Sequence, residues 1–152
     1  MTKNDILIEL SISEKTKFGK QPFDAQSIPQ KVFSTIWALE AEVNNGGFSQ
    51  YFLNSAESVH FTTTALEMIG AYDAAHICAT AISLAFPEGL TQDEDETCRV
   101  VQRFSAKVAA SLESCDQEFF TYPNDLTELL FAYVSKHPSE FGAMPDVSTP
   151  ES

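Results

Sequence analysis

Carboxylate side chains are the dominant reactive groups of this sequence. Its 152 residues contain 22 Asp and Glu against nine Lys and Arg, which leaves a formal net charge of −13. Between Lys31 and Arg99 there is no Lys or Arg, although ten acidic residues fall in that stretch. The charge argues against direct binding to nucleic acid or to an anionic membrane, and it predicts a basic partner.

Ten acidic residues are the candidates for such partner binding. Asp93 to Glu96 form a run, although acids at a helix N terminus are also favoured by the helix dipole, by roughly 0.3 to 1 kcal/mol each. Glu113 and Asp116 have i,i+3 spacing on a predicted helix, but Phe120 breaks that row. A continuous acidic surface therefore needs several helices. The candidate partner-binding residues are Glu40, Glu42, Glu57, Asp93, Glu94, Asp95, Glu96, Glu113, Asp116 and Glu118.

Glu40 also has a structural interpretation. It follows Ile36 and Trp37 around a predicted helix, so it borders the apolar face. Amide groups that could hydrogen-bond it are supplied by Asn44, Asn45, Gln50 and Asn54. We favour a structural network around Glu40. Gly46 and Gly47 are predicted to form a tight turn, because two glycines without a Lys or a Walker spacing are a poor phosphate cradle.

No catalytic or metal-binding arrangement can be recognised from residue spacing. The histidines fall on three separate predicted helices, and the cysteines lie far apart without a CxxC pair, so we expect reduced thiols. Glu40 and Glu42 point apart because i,i+2 positions do not share a helix face. We therefore predict no enzyme activity, no metal and no cofactor. The histidines are His60, His76 and His137, and the cysteines are Cys78, Cys98 and Cys115.

The elements that must position these groups are helical. Apolar residues recur at spacings of three and four, which predicts an all-α protein with a single compact multi-helix domain over residues 1–141. The tail over 142–152 is predicted to be flexible and disordered. A helix capped by Ser27 starts at Ile28 and stops at Asn45-Gly46-Gly47, and a short helical segment closed by Asn54 follows.

Later helices are predicted from further caps and breaks. Gly70 ends a helical stripe over 59–69, and the next helix is capped by Asp73 and ends before Pro87. The longest helix is predicted to start at Thr91, with Thr91 and Glu94 as a capping box, and to run for about 25 residues. A last helix over 126–134 stops at Pro138.

The N-terminal 20 residues fit two patterns. Residues 6, 8, 10 and 12 alternate as in a strand, whereas Ile6, Leu7 and Leu10 with Glu14 suit a helix, which we favour. No run reaches the roughly 18 apolar residues of a membrane span. Acidic residues stand where a signal peptide needs a basic start and an apolar run. We therefore expect a cytoplasmic protein.

The segment EAEVNNGGFSQYFLNS over residues 40–55 resembles the signature of a bacterial all-helical family, formerly of unknown function. Its founding member is described as a dimeric mimic of double-stranded DNA. The Gly70 break, residues 85–87, residues 115–120 and the ending over 129–141 resemble the same family in order. The resemblance implies an all-helical homodimer that binds a helix-turn-helix transcription factor and keeps it off its operator.

Three functional hypotheses follow. The leading one is an acidic DNA mimic that binds a basic helix-turn-helix transcription factor and competes with its DNA. The alternative is an immunity-type inhibitor of a basic nuclease toxin, which would use similar electrostatics. The third is an enzyme acting on a small cationic substrate, which a buried carboxylate with a strongly raised pKa inside a pocket would favour.

Overall fold

The computed structural model describes residues 2–12, 21–91 and 93–142, and the chain there is all-α, as predicted. The described residues form eight α-helices and two 3₁₀ turns, with no strand. The predicted tail falls outside the described residues from position 143 onward. The helices are α1 Lys3–Ile12, α2 Ile28–Asn54, α3 Thr62–Met68, α4 Tyr72–Ala85, α5 Glu94–Gln102, α6 Ala106–Phe119, α7 Leu126–Ser135 and α8 Pro138–Phe141, and the 3₁₀ turns are Phe23–Ala25 and Ala56–Phe61.

Helix α2 is the central element, because most of the other elements pack against it. It begins with a capping box, in which the Ser27 side chain accepts from the Gln30 backbone and the Gln30 side chain accepts from the Ser27 backbone. The helix is interrupted at Gly46 and Gly47, whose backbones are not helical. The predicted cap and the predicted Gly-Gly break are both confirmed.

Aromatic side chains pack around the second half of α2. The Phe48 ring lies edge-on to Phe119 at 5.8 Å between centroids, and Phe52 meets Phe86 at 5.3 Å. The Tyr51 hydroxyl is buried and makes hydrogen bonds with Ser58 at 3.0 Å and Thr62 at 2.8 Å. Burying each large apolar side chain contributes about 1.5 to 3 kcal/mol, so this cluster fixes the segment that follows the glycines.

The predicted long helix from Thr91 is wrong in length and in its cap. The chain forms α5 and α6 instead, separated at residues 103–105. Asp93 caps α5, and its carboxylate accepts from the backbone of Asp95 at 2.9 Å. Ser105 caps α6 by accepting from the Val108 backbone at 3.1 Å. A serine side chain competes for backbone N–H groups in this way, so it begins a new helix rather than continuing the old one.

The predicted Asp73 cap is also wrong, because Ala71 precedes α4 and Asp73 lies inside its first turn. The backbone N–H of Ala74, which has no partner within the helix, donates to the Asn124 side-chain oxygen at 2.9 Å. Asn124 lies in a loop that is distant in the sequence. Pro87 follows the end of α4 as predicted. Pro138 lies beyond the end of α7 and opens the short α8.

The N-terminal segment is helical over Lys3–Ile12, as favoured from the sequence, and the rest of that prediction, over residues 13–20, lies outside the described residues. Its buried residues are Ile6, Leu7 and Leu10, whereas Ile8 and Ile12 are exposed, which is the helical pattern rather than the strand pattern. The helix packs against α7. No helix within the described ranges is long and apolar enough to cross a membrane.

Candidate functional site

Five acidic side chains line a cleft of about 330 Å³ between three separate chain segments. One wall is the 3₁₀ turn Ala56–Phe61, the second is the loop that enters α5, and the third is the turn Phe23–Ala25. We call this the acidic cleft. Its acidic lining residues, the cleft carboxylates, are Asp24, Glu57, Asp93, Glu94 and Asp95.

The N terminus of α5 supplies most of these groups. The Asp93 carboxylate caps the helix, and the Glu96 carboxylate pairs with Arg99 at 2.9 Å. Arg99 also lies 4.0 Å from Asp93. Glu94 and Asp95 make no side-chain hydrogen bond or ion pair with any residue that the structure describes. The run predicted from the sequence therefore divides into two acids that build the helix end and two that face solvent.

The opposite wall carries Glu57 and His60, both exposed. The imidazole of His60 packs edge-on against the Phe23 ring, with 6.3 Å between ring centroids, and the Lys31 ammonium lies over the same Phe23 ring, 5.5 Å from its centroid. This packing anchors the turn that carries Asp24. Among the described residues, no Lys or Arg lines the cleft, and the basic side chain beside it is Arg99, which pairs with Glu96 and lies 4.0 Å from Asp93.

A second group of acidic residues surrounds the break in α2, and we call Glu40, Glu42 and Asp116 the kink carboxylates. Asp116 reaches from α6 and accepts a hydrogen bond from the Phe48 backbone at 2.8 Å. Gly47 has φ 78° and ψ −178°, and a Cβ atom at this position would collide with the Asp116 carboxylate. Glycine is required here both for the backbone conformation and for the approach of the acid.

Burial is the main reason that the pKa of Asp116 is raised above its ordinary value. The hydrogen bond from the Phe48 backbone opposes this by lowering the pKa, and nearby Glu113 raises it further. Asp116 thus acts as the cap for the helical segment after the break, a role that sequence spacing did not indicate because the two residues are 68 positions apart.

The amide network predicted around Glu40 forms mainly around Glu42. The Glu42 carboxylate accepts from Gln50 at 2.7 Å and from Asn54 at 2.9 Å. The structure thus corrects the predicted partners of Glu40, because a break in the helix brings residues 50 and 54 back over position 42 rather than position 40.

Glu40 instead accepts from the Tyr122 hydroxyl at 3.2 Å, which itself accepts from Asn44 at 2.7 Å. Burial raises the pKa of Glu40, the Tyr122 hydrogen bond lowers it, and the charge of Asp125 raises it further. Tyr122 has φ 49°, an uncommon backbone conformation for a side chain of this size. The Tyr122 hydroxyl thus links Asn44 to Glu40.

The remaining candidates, Glu113 and Glu118, are exposed on α6 and do not line the acidic cleft. The acidic cleft thus brings together four of the ten predicted residues, with Glu96 beside them in an ion pair. Of the other five, three lie around the break in α2 and two lie on α6. Asp24 joins the cleft although it was not among the candidates. No pattern in the sequence could have indicated it, because it lies 33 positions before Glu57 and meets it only through tertiary packing.

The thiols and imidazoles form no recognisable reactive site within the described residues. No group of three or more His, Cys, Asp or Glu there could hold a metal ion. Cys78 and Cys115 are buried, and burial raises the pKa of both thiols. A raised pKa disfavours the thiolate, which is the nucleophilic form of cysteine.

Comparison with known proteins places the chain by family alone. A family model described as DMP19-like protein matches residues 24–137, which includes the acidic cleft and the kink carboxylates. No curated protein and no solved structure matches the chain.

Proposed function

The chain belongs to the DMP19-like protein family, and on that premise we propose that it is a non-catalytic DNA mimic. In this proposal it acts in the cytoplasm, binds a basic helix-turn-helix transcription factor, and competes with the operator DNA of that factor. Most hydrogen bonds between such a factor and its DNA go to phosphate and sugar, so a surface that offers carboxylates can take their place.

The acidic cleft is the observation that carries the proposal. It gathers carboxylates from three chain segments, and no Lys or Arg among the described residues lines it. Lys and Arg side chains of the partner would form charge-assisted hydrogen bonds with these carboxylates, which are stronger than neutral ones. Because Glu57, Glu94 and Asp95 are exposed and unpaired in the described structure, they are free to make those bonds.

The kink carboxylates have a different role in the proposal. Glu40, Glu42 and Asp116 each accept hydrogen bonds from this chain, so they hold the scaffold rather than contact the partner. Exposed Glu113 and Glu118 supply two further carboxylates on α6, outside the acidic cleft. A homodimer would repeat these carboxylates about a two-fold axis, which suits a two-fold regulator bound to two DNA half-sites.

The test is capture of a partner from a lysate of the source cell, treated with nuclease and kept at low salt. We expect a single basic transcription factor that is released by its own operator duplex and by salt. Electrostatic association weakens with screening, so affinity should fall between roughly 50 and 500 mM salt. A captured regulator that DNA does not displace, or an affinity that salt does not change, would contradict mimicry.

A charge-matched pair of variants locates the surface. The cleft variant carries Glu57→Gln, Glu94→Gln and Asp95→Asn, and the control carries Glu9→Gln, Glu67→Gln and Glu88→Gln at exposed positions outside the cleft. Three lost ion pairs at about 0.5 kcal/mol each weaken binding about tenfold. We expect that loss in the cleft variant and a much smaller one in the control. Equal losses would show that net charge alone drives binding.

The identity of the captured protein separates this proposal from the alternative. Recovery of a basic nuclease whose activity the chain inhibits would replace the DNA mimic with an immunity-type inhibitor. The cleft variant would weaken that interaction as well, so the decision rests on whether the partner is displaced by an operator duplex.

A further inference from the structure

We propose that a second cavity, between α1, α2 and α7, binds a single alkylammonium group. This cavity has a volume of about 240 Å³ and shares no lining residue with the acidic cleft. We call it the Trp37 pocket. The inference is independent of the proposed function, because neither site needs the other. Its lining residues are Asn4, Leu7, Trp37, Glu40, Ala41, Asn44, Thr127 and Leu130.

Part of the pocket wall is apolar. Leu7 and Leu130 belong to the buried core, each with 1% of its surface exposed. The Trp37 ring stacks on Phe33 at 5.6 Å between centroids with an interplanar angle of 10°. A short alkyl chain inserted between these side chains would leave water, which is favourable in proportion to the apolar area covered.

The polar end of the pocket carries a negative charge without a cation. The Tyr122 hydroxyl, itself held by Asn44, fixes one Glu40 oxygen at 3.2 Å. The nearest basic residue in sequence to the lining is Lys3, and it pairs with Glu128 at 2.7 Å. Among the described residues, no Lys or Arg lines the pocket. A half-buried carboxylate is costly unless it is paired, so a bound cation would stabilise it.

The raised pKa of Glu40 is consistent with a site that takes a cation. Burial raises its pKa, and the neighbouring charge of Asp125 raises the pKa further. Both effects are expected of a carboxylate that lacks its positive partner. A cation in the pocket would oppose both of them.

The set of acceptors fits an ammonium group better than a metal ion. An ammonium donates three hydrogen bonds and accepts none. The residues that line the pocket and carry acceptor oxygens are Glu40, Asn4, Asn44 and Thr127. A divalent metal would need more carboxylate or imidazole ligands, and the described residues contain no group of three or more such side chains that could hold one. The alkylammonium could belong to a free small amine or to a lysine side chain.

Fluorescence of Trp37 gives a direct readout, because the chain contains one Trp. The full chain is titrated with n-butylammonium chloride in the millimolar range, with n-butanol as the neutral probe of equal chain length and NaCl as the ionic-strength control. We expect a saturable change with n-butylammonium alone. A response of equal affinity to n-butanol, or no saturable response to n-butylammonium, would overturn the proposal.

A matched pair of variants assigns the charge. Glu40→Gln removes the carboxylate from the pocket and should weaken n-butylammonium binding at least about tenfold, because charge-assisted hydrogen bonds are the strong ones. Glu42→Gln makes the same charge change two residues away, outside the pocket, and should leave the affinity within about twofold. Equal affinities in the two variants would contradict the role of Glu40.

A further variant keeps the test decisive if Glu40→Gln fails to fold. Ala41 lines the pocket but is exposed on α2, so Ala41→Leu places a larger side chain at the pocket without disturbing the core. This variant should lose n-butylammonium binding at unchanged helicity, and retained binding would overturn the proposal. Titration with Nα-acetyl-lysine methylamide, whose ε-ammonium group is free, identifies the source of the alkylammonium group. Affinity equal to that of n-butylammonium supports a lysine side chain, and absence of binding supports a free amine.

Discussion

The kink carboxylates and the cleft carboxylates belong to the same acidic sequence, yet, apart from Asp93, which caps α5, they differ in what they touch. Asp116 accepts from a backbone N–H, and Glu42 accepts from two amide side chains. Glu57, Glu94 and Asp95 are exposed and make no such contact with the described residues. The comparison teaches that the same residue type stabilises this fold where it caps a break in a helix and remains available for binding where the surface is open.

The largest effect is expected at Gly47, where the kink depends on a backbone conformation. Its φ of 78° and ψ of −178° lie in a region that almost only glycine occupies. Gly47→Ala also places a Cβ atom against the Asp116 carboxylate. We expect a loss of about 3 kcal/mol in the free energy of unfolding, measured by urea denaturation.

Gly70→Ala provides the control for that measurement. Gly70 also has a positive φ, 85°, but a Cβ atom there would meet nothing within 4 Å. The expected loss is about 1 kcal/mol, because only the left-handed backbone is disfavoured. If the two variants lost equal stability, the contact between Asp116 and Gly47 would contribute nothing.

The next largest loss of stability is expected at Asp116, and it distinguishes the kink carboxylates from the cleft carboxylates. Asp116→Ala leaves the Phe48 N–H without its acceptor and should lower the free energy of unfolding by about 1 kcal/mol, as the loss of a helix cap does. Asp116→Asn keeps an acceptor oxygen and should lose much less. Urea denaturation of both variants beside Glu94→Gln makes the comparison. A loss in Glu94→Gln as large as that in Asp116→Ala would remove the distinction between kink and cleft.

Helix positions were largely predictable from the sequence because apolar spacing is a local property. Ser27, the Gly-Gly break and the end of α4 before Pro87 were all indicated by residues within a few positions. The break between α5 and α6 was missed because half-buried Phe104 continues the apolar spacing across it. Spacing cannot decide whether Ser105 lies inside a helix or caps one, since either pattern fits.

The sites were less predictable, because they depend on contacts between distant segments. The sequence indicated that Gly46 and Gly47 form a turn, but the acceptor at Asp116 comes from α6. The acidic cleft joins Asp24 to residues 57 and 93–95 through packing of two 3₁₀ turns. Helical periodicity relates residues three or four positions apart and carries no information on such contacts.

The pH dependence of the free energy of unfolding provides a second test of the kink carboxylates, at Glu40. A folded-state pKa of Glu40 above the ordinary 4.5 means that the folded chain binds this proton more tightly than the unfolded chain. The contribution of Glu40 to stability therefore increases as the pH falls from neutrality through the raised pKa toward 4.5. Removing the carboxylate with Glu40→Gln should flatten this part of the stability profile, measured by urea denaturation at several pH values.

Glu67→Gln serves as the control, because Glu67 is exposed on α3 and the substitution removes the same charge. Its profile should keep the slope of the unchanged protein within this pH window. A slope that Glu40→Gln does not reduce would show that Glu40 is solvated in the folded state and would weaken its contrast with the cleft.

The smallest effect is expected in the cleft variant Glu57→Gln/Glu94→Gln/Asp95→Asn, because two terms oppose each other. Removing three like charges relieves repulsion within the cleft, which stabilises the fold. Removing Glu94 and Asp95 from the first turn of α5 loses their favourable interaction with the helix dipole. The free energy of unfolding should stay within about 0.5 kcal/mol of the unchanged protein. Both terms are screened, so the residual difference should shrink as salt is raised from roughly 50 to 500 mM. A difference that salt leaves unchanged would mean that these acids make short-range structural contacts, as the kink carboxylates do.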